Sequence, residues 1–479
     1  MKKLEILIIF AILFIGLVVR LYKIDRPLAD WHSWRQADTA AVSRNFVKEG
    51  FNPFIPKFDD MSMQTNGIDN PNRYRFVEFP VYNIIVAAVW KIAGINTMYA
   101  RLTTAFFTLI STGLLFLVVR KFSTLPTASL AAFFFTTIPY NIFYSTTILP
   151  GPFMVTCILA MYYTFILYIE KENPFLIVTS AILGSIAVLS WPIAAFFFLP
   201  PAYLALEKYK LGSPKKVWLW VFAVTCLVPF LAWRFWMLRF PAGIPNWQFL
   251  INEGGIRFKG AFFRWIVQER LGGLILTSTG FALFILGVVQ KAGREKLFYY
   301  SILTSSILYV CVFASGNVRH DYYQIPIIPS LAIFMAIGTS HILNLKSGSI
   351  SKYFGVVTAV FLIILMYALG FYQVQGYYWI NRPEIVEAGL AVDKLLPKDA
   401  TVIAPYNGDT AFLYQTNRHG YPIVDRPLQQ FVDSGTKYLV SVETADSGIQ
   451  HLSVICNTLE KTDKFVIIEL SKKCLSDPS

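Results

Sequence analysis

L-E-I-L-I-I-F-A-I-L-F-I-G-L-V-V-R-L-Y-K-I-D-R-P-L-A-D-W-H-S-W-R-Q-A-D-T-A-A-V-S-R, residues 4–44, joins an apolar run directly to a cluster of charged and aromatic residues. Leu4 to Tyr22 follows Met1-Lys2-Lys3 and is long enough to cross a bilayer. No small-residue cleavage site lies between Gly16 and Asp30, so the run reads as an uncleaved helix with its N-terminus inside. Asp30, His32, Arg35, Asp38 and Arg44 then crowd beside Trp31 and Trp34. Charges held at a membrane face are costly unless they serve a site.

The remainder of the chain fits this start. Of 479 residues, 55% are hydrophobic, 16% aromatic and only 15% charged, with a mean hydropathy of +0.51. That is the composition of an integral membrane protein. The +13 formal charge does not point to nucleic acid, because Lys and Arg fall in short clusters between apolar runs. Spans are expected at 101–120, 125–143, 152–170, 174–190, 192–206, 216–237, 272–290, 297–314, 324–343 and 353–375. With the first, that makes about eleven transmembrane helices.

Phe79 to Ala93 decides the orientation. If it does not cross, Arg120-Lys121, Lys171, the Lys208 to Lys216 cluster, Lys291-Arg294-Lys296, and Lys346 with Lys352 all fall on the side of Lys2 and Lys3. Positive loops face the cytoplasm, so Phe79 to Ala93 is read as a re-entrant or interfacial helix. The chain is then expected in the cytoplasmic (plasma) membrane, N-terminus inside. Three long segments face outward: residues 23–99, 238–271 and everything after Val374. The last reads as a small soluble α/β domain, 376–479, following a transmembrane domain, 1–375. Its signals are a helix at Pro383 to Leu396, strands at Thr401 to Ala404, Lys437 to Val440 and Phe465 to Leu470, and the turn Asn407-Gly408-Asp409. Cys456 and Cys474 share that domain and are candidates for a disulfide, whereas Cys157, Cys226 and Cys311 lie in spans. No CxxC, HExxH, Walker loop or well-placed GxGxxG occurs.

From Asp38 to Gly50, Ala41, Val42, Phe46 and Val47 share one side, the pattern of a short amphipathic helix for the membrane surface. Asp38 opens it, and the plain reading of such an Asp is an N-cap.

An Asp opening a juxtamembrane helix after the first span, then E-F-P-V-Y at Glu78 to Tyr82, I-A-G at 92–94 and M-Y-A-R-L at 98–102, resembles the membrane glycosyltransferases of the GT-C class. The nearest groups are the protein O-mannosyltransferases and the lipid A aminoarabinose transferases. The likeness covers roughly residues 1–170, with H-D-Y-Y at His320 to Tyr323 further on. It implies a GT-C-like α-helical polytopic fold and a catalytic Asp at Asp38. It also implies an inverting transfer of sugar from a polyprenyl-phosphate carrier to an acceptor hydroxyl on the outer face. The partners would be the lipid-linked donor, an envelope glycan, lipid or protein acceptor, and membrane lipids.

The residue types suit that chemistry. An attacking hydroxyl must lose a proton, which a placed carboxylate can take, so Asp38 is the candidate general base. The leaving lipid phosphate gathers charge that cations must hold, and Arg35, Arg44, Arg319 and His320 are candidates. Their plain alternatives are headgroup contact for Arg35 and Arg44, and snorkelling for Arg319. Asp30, His32, Glu78, Asp321 and Tyr322 are candidates for sugar or acceptor binding, and Asp321 could instead orient His320 or pair with Arg319. No metal or other cofactor is required; the polar loop 52–75, with Asp59, Asp60 and Asp69, could bind acceptor sugars or a divalent ion through oxygen ligands, but it lacks the order of an EF-hand and reads first as a plain solvated loop. Two departures from the resemblance stand out. Glu78-Phe79-Pro80 replaces the K-P-P of the aminoarabinose transferases, and Leu149-Pro150-Gly151-Pro152 lacks their Asp after Pro. The competing classes are a transporter or flippase of a lipid-linked glycan, whose repeats and midplane charges are not apparent, and a structural partner in envelope assembly. The tryptophans near the outer ends suit either sugar stacking or an interfacial belt.

Overall fold

A segment inside a bilayer must satisfy its own backbone N–H and C=O groups, and the apolar runs do so as helices. A computed structural model describes residues 3–290, 294–343 and 349–476. Lys2, Lys291 and Lys346 of the charge pattern lie outside the described residues, as do the side chains of Arg294 and Lys352. The chain divides into two compact units: one holds the start through Ile24, Arg101–Phe235 and Trp247–Gly376, the other Asp25–Ala100, Trp236–Asn246 and the chain from Tyr377 on.

The first unit is helical. Among the described residues, Thr97–Phe122, Pro150–Lys171, Val217–Met237, Asp321–Leu343 and Tyr353–Tyr378 are long and apolar enough to cross a membrane. Gly260–Ile275 with Thr277–Val289 makes a sixth if that pair, bent by 111°, is one span. The Lys3–Arg20 helix, 18 residues, carries Lys3, Glu5 and Arg20 at its ends. The run expected at 192–206 is broken. Pro192–Phe198 is a 3₁₀ segment, and the α-helix begins only at Leu199, because Pro192, Pro200 and Pro201 withhold the N–H groups a continuous helix needs. The run at 272–290 is interrupted at Thr277, whose φ is 57°.

Buried charges in this unit are tied to backbone. Arg20 donates to Gly16 O at 2.8 Å and Thr136 O at 3.0 Å. Arg101 donates to Thr146 O at 2.8 Å. The Thr277–Val289 and Ile328–Leu343 helices cross on two glycines: a Cβ on Gly287 would run into the Phe334 carbonyl, and one on Gly338 into the Leu283 carbonyl. Backbone cannot yield as a side chain can. Gly338→Ala is therefore expected to cost at least about 2 kcal/mol and to lower the apparent unfolding midpoint in detergent by several degrees. Gly113→Ala, where nothing lies within 4 Å, should lower it by none.

The second unit gathers most of the segments expected outside, but of the stretch expected at 238–271 it holds only the part up to Asn246, and Trp247 onward belongs to the first unit. Its sheet runs β2-β1-β3-β5-β4, with β1 Thr401–Ile403, β2 His419–Tyr421, β3 Tyr438–Ser441, β4 Asn457–Lys461 and β5 Val466–Glu469. β1 pairs parallel with β2 and β3, and β5 antiparallel with β3 and β4. Ile403, Tyr421, Phe431, Leu439, Val466 and Ile468 form its core, beside the disulfide Cys456–Cys474. The helix expected at 383–396 is Glu384–Leu395. The sheet edge at β2 is covered by the first loop: Met61 N–H donates to Gly420 O at 2.8 Å, and Gly420 N–H to Asp59 O at 3.0 Å. Residues 236–246 join through Phe76 N–H, which donates to Gly243 O at 2.7 Å.

Val81–Ala93 spans 13 residues, roughly 20 Å at the α-helical rise and too short for a bilayer core. It buries Tyr82, Asn83, Val86, Ala87 and Trp90 and leaves Ile92 exposed. That supports the reading of a helix that does not cross.

Candidate active site

The helix that carries Asp38 runs Ser33–Lys48, so it begins five residues before the expected cap. Asp38 sits in its second turn and caps nothing. S-W-R-Q-A has no helix breaker, and the helix extends back to His32, whose φ of 53° turns the chain. Nor is this a surface helix, since nearly every residue from Gln36 to Phe46 is buried. Val81–Ala93 packs on one side, where Asn83 Nδ2 donates to Thr39 O at 2.7 Å. The short Thr410–Gln415 helix packs on another.

Asp38 is 4% exposed, and both of its oxygens are held. Arg75 Nη2 donates to Oδ2 at 2.6 Å, and Thr410 Oγ1 donates to Oδ1 at 2.7 Å. Arg75 is fixed in turn by a strand-like return of the loop. Lys57 bridges Tyr74, Arg75 N–H donates to Pro56 O at 2.9 Å, and the guanidinium lies 5.1 Å from the centre of the Phe58 ring. An open cleft of about 250 Å³, solvent included, is lined by Asp38, Arg75, Arg35, Glu78, Thr39 and Asn83, with Val42, Pro56, Val77 and Pro80 as its apolar wall. Arg35 Nη2 donates to Glu78 Oε1 at 2.8 Å. Arg75 Nε and Glu78 Oε2 are buried without a hydrogen-bond partner.

The cleft thus unites three of the expected residues, Asp38, Arg35 and Glu78, with Arg75, which sequence reading placed only at the end of a polar loop. Arg44 is not among them. It is 5% exposed, donates to Tyr414 O at 3.0 Å, pairs with Asp59 and stacks on the Tyr414 ring. Both its charge and its fork are used within the fold, so it faces neither headgroups nor a ligand. Asp30 accepts from Arg26 Nε at 2.5 Å and Gln36 Nε2 at 2.9 Å, and is similarly occupied. His32 sits at the left-handed turn with its ring against Trp31, which stacks on Tyr377.

Arg319, His320, Asp321 and Tyr322 form a separate cluster in the first unit. Arg319 pairs with Glu253 rather than with Asp321. His320 stacks on Tyr322, ring centres 5.5 Å apart. Asp321 is 1% exposed and accepts from Tyr144 Oη at 2.5 Å, with Arg270 Nη1 at 4.0 Å. Arg270, on the π-helical segment Arg264–Ile275, escaped sequence reading because its partner lies 51 residues away in the chain and no periodicity marks it. Among the described residues no group of three or more His, Cys, Asp or Glu could hold a metal ion.

Two further carboxylates surround Asp38. Burial, reinforced by the charge of Asp38, pushes Asp60 and Asp409 up from 3.8 to about 6. A raised carboxylate pKa means that the folded state binds the proton more tightly than the unfolded chain. Stability therefore grows as pH falls from 7 toward 5, and is lost as pH rises through 6. Glu49 and Asp393 work the other way. Although burial pushes both up, hydrogen bonds from His419 and Arg73 hold Glu49 at about 2, and bonds from Lys398, Arg418 and Asn417 hold Asp393 at about 2. Their contribution fades only below about pH 4.5. The apparent unfolding midpoint should then rise by a few degrees between pH 7 and 5 at fixed scan rate. Asp409→Asn, which keeps an oxygen for the Ala411 N–H, should remove about half of that rise.

Residues 71–236 match the family of dolichyl-phosphate-mannose-protein mannosyltransferases. Among solved structures, ArnT from Cupriavidus metallidurans bound to undecaprenyl phosphate is similar over 98% of this chain and 99% of its own, with a TM-score of 0.68 at 15% identity. The apo oligosaccharyltransferase of Archaeoglobus fulgidus is similar over 92% of this chain and 70% of its own, TM-score 0.56, 12% identity. AglB from the same organism, in complex with an inhibitory peptide and a dolichol-phosphate, is similar over 100% of this chain and 75% of its own, TM-score 0.57, 11% identity. No curated protein matches by sequence. The chain is an integral membrane protein with the GT-C glycosyltransferase fold.

Proposed function

We propose that this protein is an inverting glycosyltransferase that moves a sugar from a polyprenyl-phosphate carrier to a hydroxyl of an envelope glycan, lipid or protein. The observation that carries this reading is a buried carboxylate, Asp38, at the wall of a cleft that also presents Arg75 and Arg35. The match of residues 71–236 to a dolichyl-phosphate-mannose family supports the donor class.

In this mechanism the acceptor oxygen attacks the anomeric carbon and gives its proton to Asp38 as the new C–O bond forms. The bond from the anomeric carbon to phosphate oxygen breaks with its electron pair, and the lipid departs as a monophosphate. Arg75 and Arg35 stand beside Asp38 to hold that charge through charge-assisted hydrogen bonds. Arg75 has reason to shift, since a phosphate arriving in the cleft competes with Asp38 for its N–H groups and frees the carboxylate to act. Glu78 Oε2 and Arg75 Nε offer an unmet acceptor and donor that sugar hydroxyls can satisfy. The positive-loop pattern supports an orientation with the N-terminus inside and the segment 376–479 outside, and the proposed location is the plasma membrane.

A protein that releases a polyprenyl phosphate binds that product. Purified protein in nanodiscs should gain several degrees in unfolding temperature with undecaprenyl phosphate and none with undecaprenol. Equal shifts with both would mean that the phosphate is not recognised and would overturn the donor assignment.

A further inference from the structure

Asp38 lies in the first loop, yet the hydroxyl on its Oδ1 comes from a residue 372 positions later. Thr410 follows the turn Asn407-Gly408-Asp409, in which Asn407 and Gly408 take φ of 52° and 79° and Asp409 caps the Thr410–Gln415 helix by accepting from Ala411 N–H at 2.7 Å. That short helix is docked along the Ser33–Lys48 helix at successive turns. Thr410 meets Asp38 and Trp34, Tyr414 meets Arg44, and Asn417, just beyond the helix, accepts from Lys48 Nζ at 2.5 Å. Gln415 Nε2 donates to Leu28 O at 2.9 Å. The geometry is over-determined on both sides of Thr410, and Thr410 is absent from the lining of the cleft.

We infer that Thr410 is a positioning residue for Asp38, through which the C-terminal segment completes the active site; this rests on reading Asp38 as the general base. Thr410 Oγ1 lies 2.7 Å from Asp38 Oδ1 and 3.2 Å from the Trp34 carbonyl. The hydroxyl has one proton and two acceptors in reach, so it serves Asp38 in both protonation states. While Asp38 is a carboxylate, Thr410 donates to it. Once Asp38 has taken the acceptor's proton, Thr410 turns its own hydrogen to Trp34 O and can accept from the new carboxylic acid. With Arg75 on Oδ2, the carboxylate plane is fixed at two points, and a base that is free to rotate loses the alignment that proton transfer needs. Asp60 and Asp409, like Glu78 in the cleft, are acidic groups near Asp38 that cannot substitute for this donor while ionised.

The test compares wild type, Thr410→Val and Thr410→Ser in donor turnover, with Asp38→Asn as the reference for the base. Valine fills the same space without the hydroxyl, and serine keeps the hydroxyl without the methyl. Thr410→Val should lower kcat by about 10- to 100-fold with the KM for the lipid donor within about 3-fold, and Thr410→Ser should return kcat to within about 3-fold of wild type. Should Thr410→Val not fold, Thr410→Ala takes its place with the same expectation. Unchanged kcat in the variant lacking the hydroxyl, failure of serine to restore it, or a loss in KM alone would overturn the inference. If Asp38→Asn turned over as wild type does, the base reading would have failed first. Absence of wild-type turnover with every donor would sink both.

Discussion

Asp38→Asn is expected to reduce turnover of the lipid-linked donor by about 10²- to 10⁴-fold, the range that removal of a general base costs. The variant is informative because it changes so little else. Asparagine is isosteric with aspartate, its oxygen can accept from either Thr410 or Arg75, and the Ser33–Lys48 helix is anchored independently through Arg44 and Asn83. The protein should fold and bind donor much as wild type does, so the loss should fall on kcat. Asp38→Glu keeps the charge but lengthens the side chain by one methylene within a site closed at two points. It too should be severely slowed, since displacement of order 1 Å can cost 10²-fold.

Arg75→Gln is expected to produce the second largest effect, a loss of about 10²- to 10³-fold, typical of removing one donor from a developing anion. Two consequences are superposed here and can be separated. Removing Arg75 takes away a cation of the cleft and also leaves Asp38 buried without its ion-pair partner, which costs about 3–5 kcal/mol of stability. The double variant Asp38→Asn with Arg75→Gln removes both charges together. Its unfolding midpoint should lie above that of Arg75→Gln alone, while its turnover should remain as low as that of Asp38→Asn. Recovery of stability without recovery of activity would assign the pair to the site as well as to the fold. Arg75→Lys keeps the charge without the planar fork and should fall between.

What the sequence disclosed follows from how far apart the interacting residues lie. Apolar runs and their basic flanks are local, and they located most of the helices, the short Val81–Ala93 helix among them, and three of the five strands. Asp38 was legible because a cluster of charges beside a first span is costly without a use. The register of its helix was not, since Ser33 to Ala37 carries no breaker and the choice of start depends on packing from both sides. Arg75 and Thr410 were invisible for a simpler reason: they reach Asp38 from 37 and 372 positions away, and neither spacing has a period. Arg44 shows the converse error. Its neighbours in sequence suggested a phosphate ligand, while its neighbours in space, Asp59 and Tyr414, consume its fork. Short strands such as β2 and β4 carry little β-signal of their own and are held by neighbours, β2 in part by the loop around Asp60.

The proposed function stands or falls on the identity of the donor. The measurement that tests it most directly is acceptor-dependent release of polyprenyl phosphate from a panel of polyprenyl-phospho-sugars by the purified protein, supplied with acceptors from membrane extract. Wild type should release polyprenyl phosphate from at least one donor, dependent on the acceptor fraction, and Asp38→Asn should not. Folded wild-type protein that releases no polyprenyl phosphate from any donor, or Asp38→Asn that releases it equally, would contradict it.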